Sequence, residues 1–543
     1  MEPSTASQIE VLPRNELMFA APDIGRGTEA PRPAAGDVVL HGIDPQAPVW
    51  ETDIQVAPAE TATPCNAIVQ VGGTLAPLES ITKWAWNRNP YTDVGNATRL
   101  VNLCGTRLRY CGAWKRWLVW DGQRWAIDDT GRVTEVAKLT LRAMRKMIPL
   151  TDAKYQKAYK AHVRSSESWG RLNAMIGLAR TAPPIPVTAS QLDADPWKLN
   201  CLNRTLDLRS GRLSKHQRED LLTKLVPVEY DPNAECRTFD AFLGRIMKGN
   251  AALIEYLQRI VGYCLTGDVG EKALFILYGE GNNGKTTFLE TIRHVLGDYA
   301  GQVPIQSLMK KKFGDDGIPN DIAQLQGKRF VTSSETDAGQ ELAVAKIKQL
   351  TGLATLQARY LYAEFFEFVP TFKLFMDCNH KPVIRGHDPA IWNRLKFLPF
   401  TVTIPNAEID REMGAKLRAE APGILAWAVR GCLEWQRRGL DEPQEVREAT
   451  QTHQQEMDTI GRFIAECCEL APEFREVTAK LYSAYETWCH DAGEEPESKK
   501  AFGMALKRTA GLEPAKDRTI GRFWQGINLR PMPTKTDEKH VGE

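Results

Sequence analysis

Residues 277–290 read LYGEGNNGKTTFLE, and within them Gly279, four intervening residues, Gly284, Lys285 and Thr286 have the spacing of a phosphate-binding loop. The chemistry follows from the residue types. Glycines let successive backbone N–H groups turn inward around an oxyanion, Lys285 supplies a point charge for the β and γ phosphates, and Thr286 offers a hydroxyl to Mg²⁺. Such a loop must leave a strand and enter a helix. Ala273 to Tyr278 is an apolar run of buried-strand length, and from Lys285 onward apolar residues fall at Phe288, Leu289, Ile292, Val295 and Leu296. The pattern predicts strand, loop and helix, with Gly279, Glu280, Gly281, Asn282, Asn283, Gly284, Lys285, Thr286 and Thr287 as the nucleotide contacts.

Binding alone does not hydrolyse. Water must be oriented and a metal held, normally from a neighbouring strand. In KRFVTSSETD a strand begins at Phe330 and Val331, and Glu335 stands at its carboxyl end, where open α/β sheets place ligands. The usual second motif is an apolar run closed by Asp-Glu, but here Ser334 occupies the Asp position. Glu335 is therefore the expected water-activating residue, and the Mg²⁺ contact is expected from Thr286 and Glu335, with water and Asp337 as further candidates. A third strand, FKLFMDCN, ends in Asn379, whose amide is expected to sense the γ phosphate if that strand lies beside the loop strand. In IRGHDPAIWNRLKFLPF, Arg394 follows a short helical segment and precedes another apolar strand. An arginine so placed can reach a neighbouring subunit's nucleotide. Arg385 and Lys396 are secondary candidates for that role. The bland alternatives are an exposed turn carboxylate for Glu335, a turn or cap for Asn379 and a surface ion pair for Arg394. ATP and Mg²⁺ are the expected cofactors.

The rest of the chain must position this set. Its 543 residues are 43% hydrophobic and 25% charged, enough for several cores. No apolar stretch reaches membrane-spanning length, and a net charge of +1 leaves any nucleic-acid surface to be local. Eleven scattered cysteines without a C-x-x-C pair read as reduced thiols of a cytoplasmic protein. Residues 1–90, rich in Ala and Pro, are expected to be disordered, as is the tail 533–543. KRWLVWDGQRWAID reads as two short strands around the Asp121-Gly122 turn, with Trp117, Trp120 and Trp125 packing against a helix from Val133 to Met147 rather than stacking on bases. The carboxylates of DADP, residues 193–196, are read as loop residues ended by Pro196 rather than a metal site. From Phe239 to Leu265 the apolar period is helical.

Phosphate loop, Glu strand, Asn strand and arginine, in this order, resemble superfamily 3 helicases, and more closely the phage and plasmid primase-helicase family that includes poxvirus primase-helicases. The resemblance spans roughly residues 95–530 and rests on GEGNNGKTTFLETIRHVLGDYA, GKRFVTSSETD, FKLFMDCNHKPVIRGHDPAIWNRLKFLPF and LDLRSGRL with REDLLTKLVPVEYDP. It implies an α/β fold: an AAA+ P-loop NTPase core with a parallel sheet, preceded by an α+β helicase-associated domain and followed by a winged-helix-like C-terminal domain. The corresponding boundaries are 91–235 for the helicase-associated domain, 236–268 for a helical collar, 269–405 for the core, 406–456 for a helical lid and 457–532 for the winged-helix-like domain. It further implies a homo-hexameric ring that hydrolyses ATP to translocate on single-stranded DNA and open forked DNA, with Lys285, Glu335, Asn379 and Arg394 catalytic and Arg394 acting in trans. LTGLATLQARYLYAEFFEF resembles the family's DNA-gripping hairpin, with Lys348 and Arg359 as its basic residues. Two departures stand out: Ala363 lies where the family often has lysine, and Arg204 where it usually turns on glycine. Many relatives begin with a primase domain. Fewer than 100 residues precede the match here and hold no carboxylate cluster, so primer synthesis is not expected, and a separate primase or initiator is an expected partner.

Toward the C-terminus a helix is expected from Thr478, a second from Lys499 to Arg508 and a strand pair around Arg518 to Leu529. Lys499, Lys500, Lys507, Arg508, Lys516, Arg518 and Arg522 concentrate positive charge there, with Trp524 available to lie against sugar or base. A solvated basic face is the plain alternative. At the level of function, an ATP-switched DNA-binding initiator that does not unwind, and a small-molecule kinase sharing only the phosphate loop, stay open beside the helicase.

Overall fold

Why the chain folds around residues 273–400 is visible in the alternation of its strands. The computed structural model describes residues 68–71, 74–77, 89–310, 320–334, 339–359, 364–385 and 388–530, all within the unit Asp53–Glu543. Five strands form one parallel sheet: β10 (Leu274–Tyr278), β11 (Ala300–Gln302), β12 (Phe330–Ser334), β15 (Lys373–Cys378) and β16 (Leu395–Pro399). Their order is β11-β12-β15-β10-β16, and every neighbouring pair is parallel. Parallel sheets are covered on both faces, so their strands are apolar throughout. In β10, Phe275 and Leu277 join a core with Phe288, Phe330 and Phe375, whereas Leu274 and Ile276 join a second core with Val331, Met376 and Phe397. The two-residue period of a strand sends alternate side chains to these two cores.

The helical period from Phe239 resolves into two helices, Arg237–Ile246 and Ala251–Leu265, the second capped by the Asn250 side chain. They pack in the first core with Ile424, Leu425 and Val429 of the long helix Ala421–Arg438. Upstream, β3 (Leu108–Cys111), β4 (Arg116–Trp120), β5 (Trp125–Ile127) and β6 (Pro186–Val187) form a sheet ordered β5-β4-β3-β6. Trp117, Trp120 and Trp125 are all buried, and the helix Arg132–Lys146 packs in the same core as Trp117. Trp117 thus packs against the helix as expected, whereas Trp120 and Trp125 lie in a separate core with Cys111, Leu118, Val187 and Leu192, because alternate residues of β4 face opposite sides of the sheet. Asp193 accepts hydrogen bonds from the Thr223 backbone and hydroxyl, and Asp195 accepts from Trp197 N–H at 3.0 Å, so both DADP carboxylates tie down loops. Arg204 makes its turn with its carbonyl accepting from Cys201 N–H at 2.9 Å.

Two expectations need correction here. Within residues 1–90, expected to lack regular structure, Ile68–Val71 and Thr74–Pro77 pair as antiparallel β1 and β2. In the C-terminal region a ten-residue strand, β17 (Cys468–Val477), joins the expected helices Thr478–Asp491 and Lys499–Ala510 and the strands β18 (Glu513–Asp517) and β19 (Gly521–Leu529). The sheet order is β17-β19-β18. Expected tail residues 533–543 lie outside the described residues. Among those described, no helix is long and apolar enough to cross a membrane.

The thiols give a test of folding. Burial pushes Cys201, Cys236, Cys264, Cys378, Cys432 and Cys468 up to about 12. A group whose folded value is raised contributes stability below its unfolded value and loses it as pH rises toward the folded one. Above about pH 9 each such thiol costs about 1.4 kcal/mol per pH unit, against a total stability on the order of 10 kcal/mol. Lys373, lowered to about 7 by burial, and Lys285 and Lys328, also lowered by burial, work against this trend but are fewer than the thiols. Alkaline unfolding is therefore expected before pH 11, checked by circular dichroism melts from pH 7 to 11 under reducing conditions.

Candidate functional site

The loop leaves β10 at Tyr278 and enters a helix whose first residue is Lys285 and whose last is Leu296, the span expected from the apolar period. Two glycines fix its course. A Cβ on Gly279 would lie 2.2 Å from the carbonyl oxygen of Phe400, and one on Gly284, which has φ +83°, would lie 2.7 Å from Ile246 Cγ2. Only glycine accepts that combination of backbone angle and close approach. Gly284→Ala is thus expected to lower the melting temperature and weaken nucleotide binding by at least about tenfold, since left-handed strain and a core clash each cost on the order of 1–3 kcal/mol. A fluorescent ATP analogue and a thermal melt check it.

Lys285 is 3% exposed, and its ammonium is held by what surrounds it. Nζ donates to the Gly279 carbonyl at 2.7 Å, to Asn283 Oδ1 at 3.0 Å and to Asn379 Oδ1 at 3.3 Å. Asp377 Oδ1 lies 3.8 Å away. Burial lowers the Lys285 pKa and Asp377 pulls it the other way. Thr286 Oγ1 donates to Asp377 Oδ2 at 2.7 Å. Lys285, Thr286 and Asn379 are thus brought together because β15 pairs with β10 in register, Leu277 opposite Asp377 and Tyr278 opposite Cys378. Asn283 Nδ2 donates to the Phe400 carbonyl at 3.4 Å, and Asn282 meets Asn406, so the segment after β16 backs the loop. Glu280 and Thr286 are exposed and Thr287 half-buried.

Sequence reasoning missed Asp377. Its signal was present: Lys373–Cys378 is an apolar strand whose fifth residue is an acid, and every residue of it is buried. Glu335 and Asp337 lie outside the described residues.

Arg394 lies at the other end of the sheet. Its carbonyl accepts from Leu274 N–H at 2.8 Å, at the start of β10, roughly 15 Å along the strand from the loop at a rise of about 3.3 Å per residue. Its Nη1 donates to Ala390 O at 2.8 Å, and its buried Nε makes no hydrogen bond. The secondary candidates are engaged within the chain: Arg385 with Glu495 at 2.8 Å and Glu341 at 3.6 Å, and Lys396 with Glu442 at 2.8 Å. These ion pairs make both poorer fingers than their sequence position suggested.

The pore-hairpin candidate is an antiparallel pair, β13 (Leu356–Ala358) with β14 (Phe366–Phe368). Arg359 is exposed and lies over the Phe365 ring at 4.8 Å, while Lys348, on the preceding helix, pairs with Asp388. Ala363 lies outside the described residues. In the C-terminal region Lys499, Lys500, Lys507, Arg508, Lys516, Arg518 and Arg522 are exposed, although Lys507 also pairs with Glu513 at 3.2 Å and Lys499 sits over the Tyr482 ring at 5.1 Å. Trp524 is not available to a nucleic acid. It is 4% exposed and packs in a core with Phe463, Tyr485 and Phe502.

Fold and site together define an α/β protein with a phosphate-loop motif at the carboxyl end of an interior strand of a parallel sheet. Residues 97–248 match the family described as D5 N terminal like, residues 277–394 a family of unknown function, and residues 455–518 the family described as Poxvirus D5 protein-like. A protein of Acanthamoeba polyphaga mimivirus named "Putative helicase" is 27% identical over 296 residues, covering 51% of this chain and 31% of the relative. One of the same name in Frog virus 3 (isolate Goorha) is 29% identical over 272 residues, covering 46% and 28%. A "Putative primase" of African swine fever virus is 23% identical over 251 residues, covering 45% and 26%. The C terminal region of NrS-1, in its A form apo structure, superposes with a TM-score of 0.45 at 9% identity, over 78% of this chain and 96% of that one. The D5-like segments and the viral relatives support a primase-helicase family for this chain. The chain spans about a third or less of the length of those viral relatives.

Proposed function

We propose that this chain is an ATP-dependent DNA helicase of a phage, plasmid or other mobile element, with an AAA+ superfamily 3 core that works as a homo-hexamer during replication. The observation that carries the reading is the convergence of Gly279 O, Asn283 Oδ1 and Asn379 Oδ1 on Lys285 Nζ. A cation presented by a glycine loop and touched by an amide from the next strand suits a γ phosphate. Bound ATP·Mg²⁺ would supply the phosphoryl group to be transferred. Backbone N–H groups of the loop hold and orient the phosphates, Lys285 neutralises their charge, Asn379 reports their presence, and Glu335 activates water. Arg394, about a strand's length from its own loop, is the group offered to the neighbouring protomer's nucleotide.

Two further features support contact with DNA. The paired strands β13 and β14 carry exposed Arg359 beside their tip, as a pore hairpin requires. The order helix, strand, helix, helix and two strands over Thr459–Leu529, with β19 central, suits a winged helix whose exposed lysines and arginines meet phosphates. Single-stranded DNA should stimulate ATP hydrolysis, and a labelled forked duplex should separate only with hydrolysable ATP. Stimulation without strand separation would replace the helicase by an ATP-switched initiator, and indifference to DNA would remove both.

A further inference from the structure

Phosphate-loop enzymes of this type hold Mg²⁺ with the loop Ser/Thr and an Asp on a sheet strand. In this chain the strand expected to carry that Asp, β12, has Ser334 at the corresponding position. The parallel register pairs Ser334 with Asp377 on the adjoining strand β15. Asp377 in turn accepts the Thr286 hydroxyl at 2.7 Å and lies 3.8 Å from Lys285 Nζ. We propose that Asp377 is a metal-holding carboxylate of the nucleotide site, displaced by one strand from β12 to β15. The inference rests on the nucleotide-site reading above.

The residues suit the ion. Mg²⁺ is a hard cation bound through oxygens, usually by one or two carboxylates together with substrate phosphates. Thr286 Oγ1 and Asp377 Oδ2 are a hydroxyl and a carboxylate oxygen already within hydrogen-bond distance. By donating its proton to Asp377, the hydroxyl keeps its lone pairs for a cation, and a carboxylate beside a ligand orients it. Asp377 is 7% exposed, on the strand that forms the floor of the loop. The Thr286 hydroxyl and the Lys285 ammonium let the enclosed Asp377 keep its charge, so a carboxylate stands ready beside the loop threonine. The lateral shift keeps the charge beside the loop because β15, not β12, is the direct neighbour of β10.

The test is the Mg²⁺ dependence of binding, read with a fluorescent non-hydrolysable ATP analogue on the full chain, in Mg²⁺ and in EDTA. Wild type is expected to bind at least about tenfold tighter in Mg²⁺, the scale on which metal-site carboxylates act. Asp377→Asn should lose that advantage while its EDTA affinity is no lower than that of wild type, since a carboxylate facing the phosphates is removed, and the exchange Ser334→Asp with Asp377→Ser should restore part of the advantage. Melts establish that each variant is folded. If Asp377→Asn does not fold, the exchange and Asp377→Glu decide, a recovered advantage supporting the assignment and a folded protein without one overturning it. An unchanged advantage in Asp377→Asn, or an equal loss in both buffers, also overturns it while leaving the nucleotide site intact. No binding by wild type in either buffer would overturn the nucleotide-site reading itself.

Discussion

Lys285→Ala is expected to reduce ATP hydrolysis by at least about a thousandfold, the upper range for removing one preorganised charge from a transition state. The loss has two sources. The ammonium is the positive charge at the mouth of the loop, and it also bridges Gly279, Asn283 and Asn379 by hydrogen bonds of 2.7, 3.0 and 3.3 Å. Removing it leaves those acceptors, together with Asp377, facing a triphosphate with no cation between them. Like charges at such distances repel strongly where water is excluded. Folding should survive, because a buried lysine replaced by alanine also sheds its desolvation cost. Steady-state hydrolysis together with analogue binding checks this. Residual turnover within tenfold of wild type would show that the loop does not hold the reacting phosphates.

Arg394→Ala should stop turnover by a factor of about 10³ or more, the scale of an arginine finger, while nucleotide binding changes little. The expectation comes from position. Arg394 is anchored at the start of β10 through its carbonyl, with its Nη1 on Ala390, at the end of the sheet away from Lys285. Under the proposed function its route to a phosphate is a second copy of the chain. Mixing the variant with wild type should depress activity by much more than the fraction added, because each mutant protomer spoils its neighbour's site. Simple proportional loss would show that the arginine acts within its own chain or only in packing. Sizing with an ATP analogue gives an independent reading of assembly.

Local features were readable in advance where one segment carries the whole signal. The loop, its strand and its helix lie in one run of residues, so spacing and apolar period locate them to within a residue. Trp117 was assignable to the core of the following helix for the same reason, whereas the separate core that takes Trp120 and Trp125 is built with Val187 and Leu192 from a distant segment and was not. The long strand β17 was not readable. CELAPEFREV has neither clean alternation nor an apolar run, and it becomes a strand by pairing with β19, with a register shift between Leu470 and Arg475.

By itself the sequence determined which groups could meet a phosphate, because a glycine-rich turn, a lysine and a threonine at fixed spacing constrain one another through the backbone alone. Only the tertiary structure decided which distant side chains join them. Asn379 reaches Lys285, and Asp377 reaches Thr286, because sheet order puts β15 against β10, while Trp524 is taken from solvent and Arg385 and Lys396 are taken up by Glu341, Glu495 and Glu442. Strand order and ion pairing are settled by packing between segments far apart in the chain, and no local period encodes such partners.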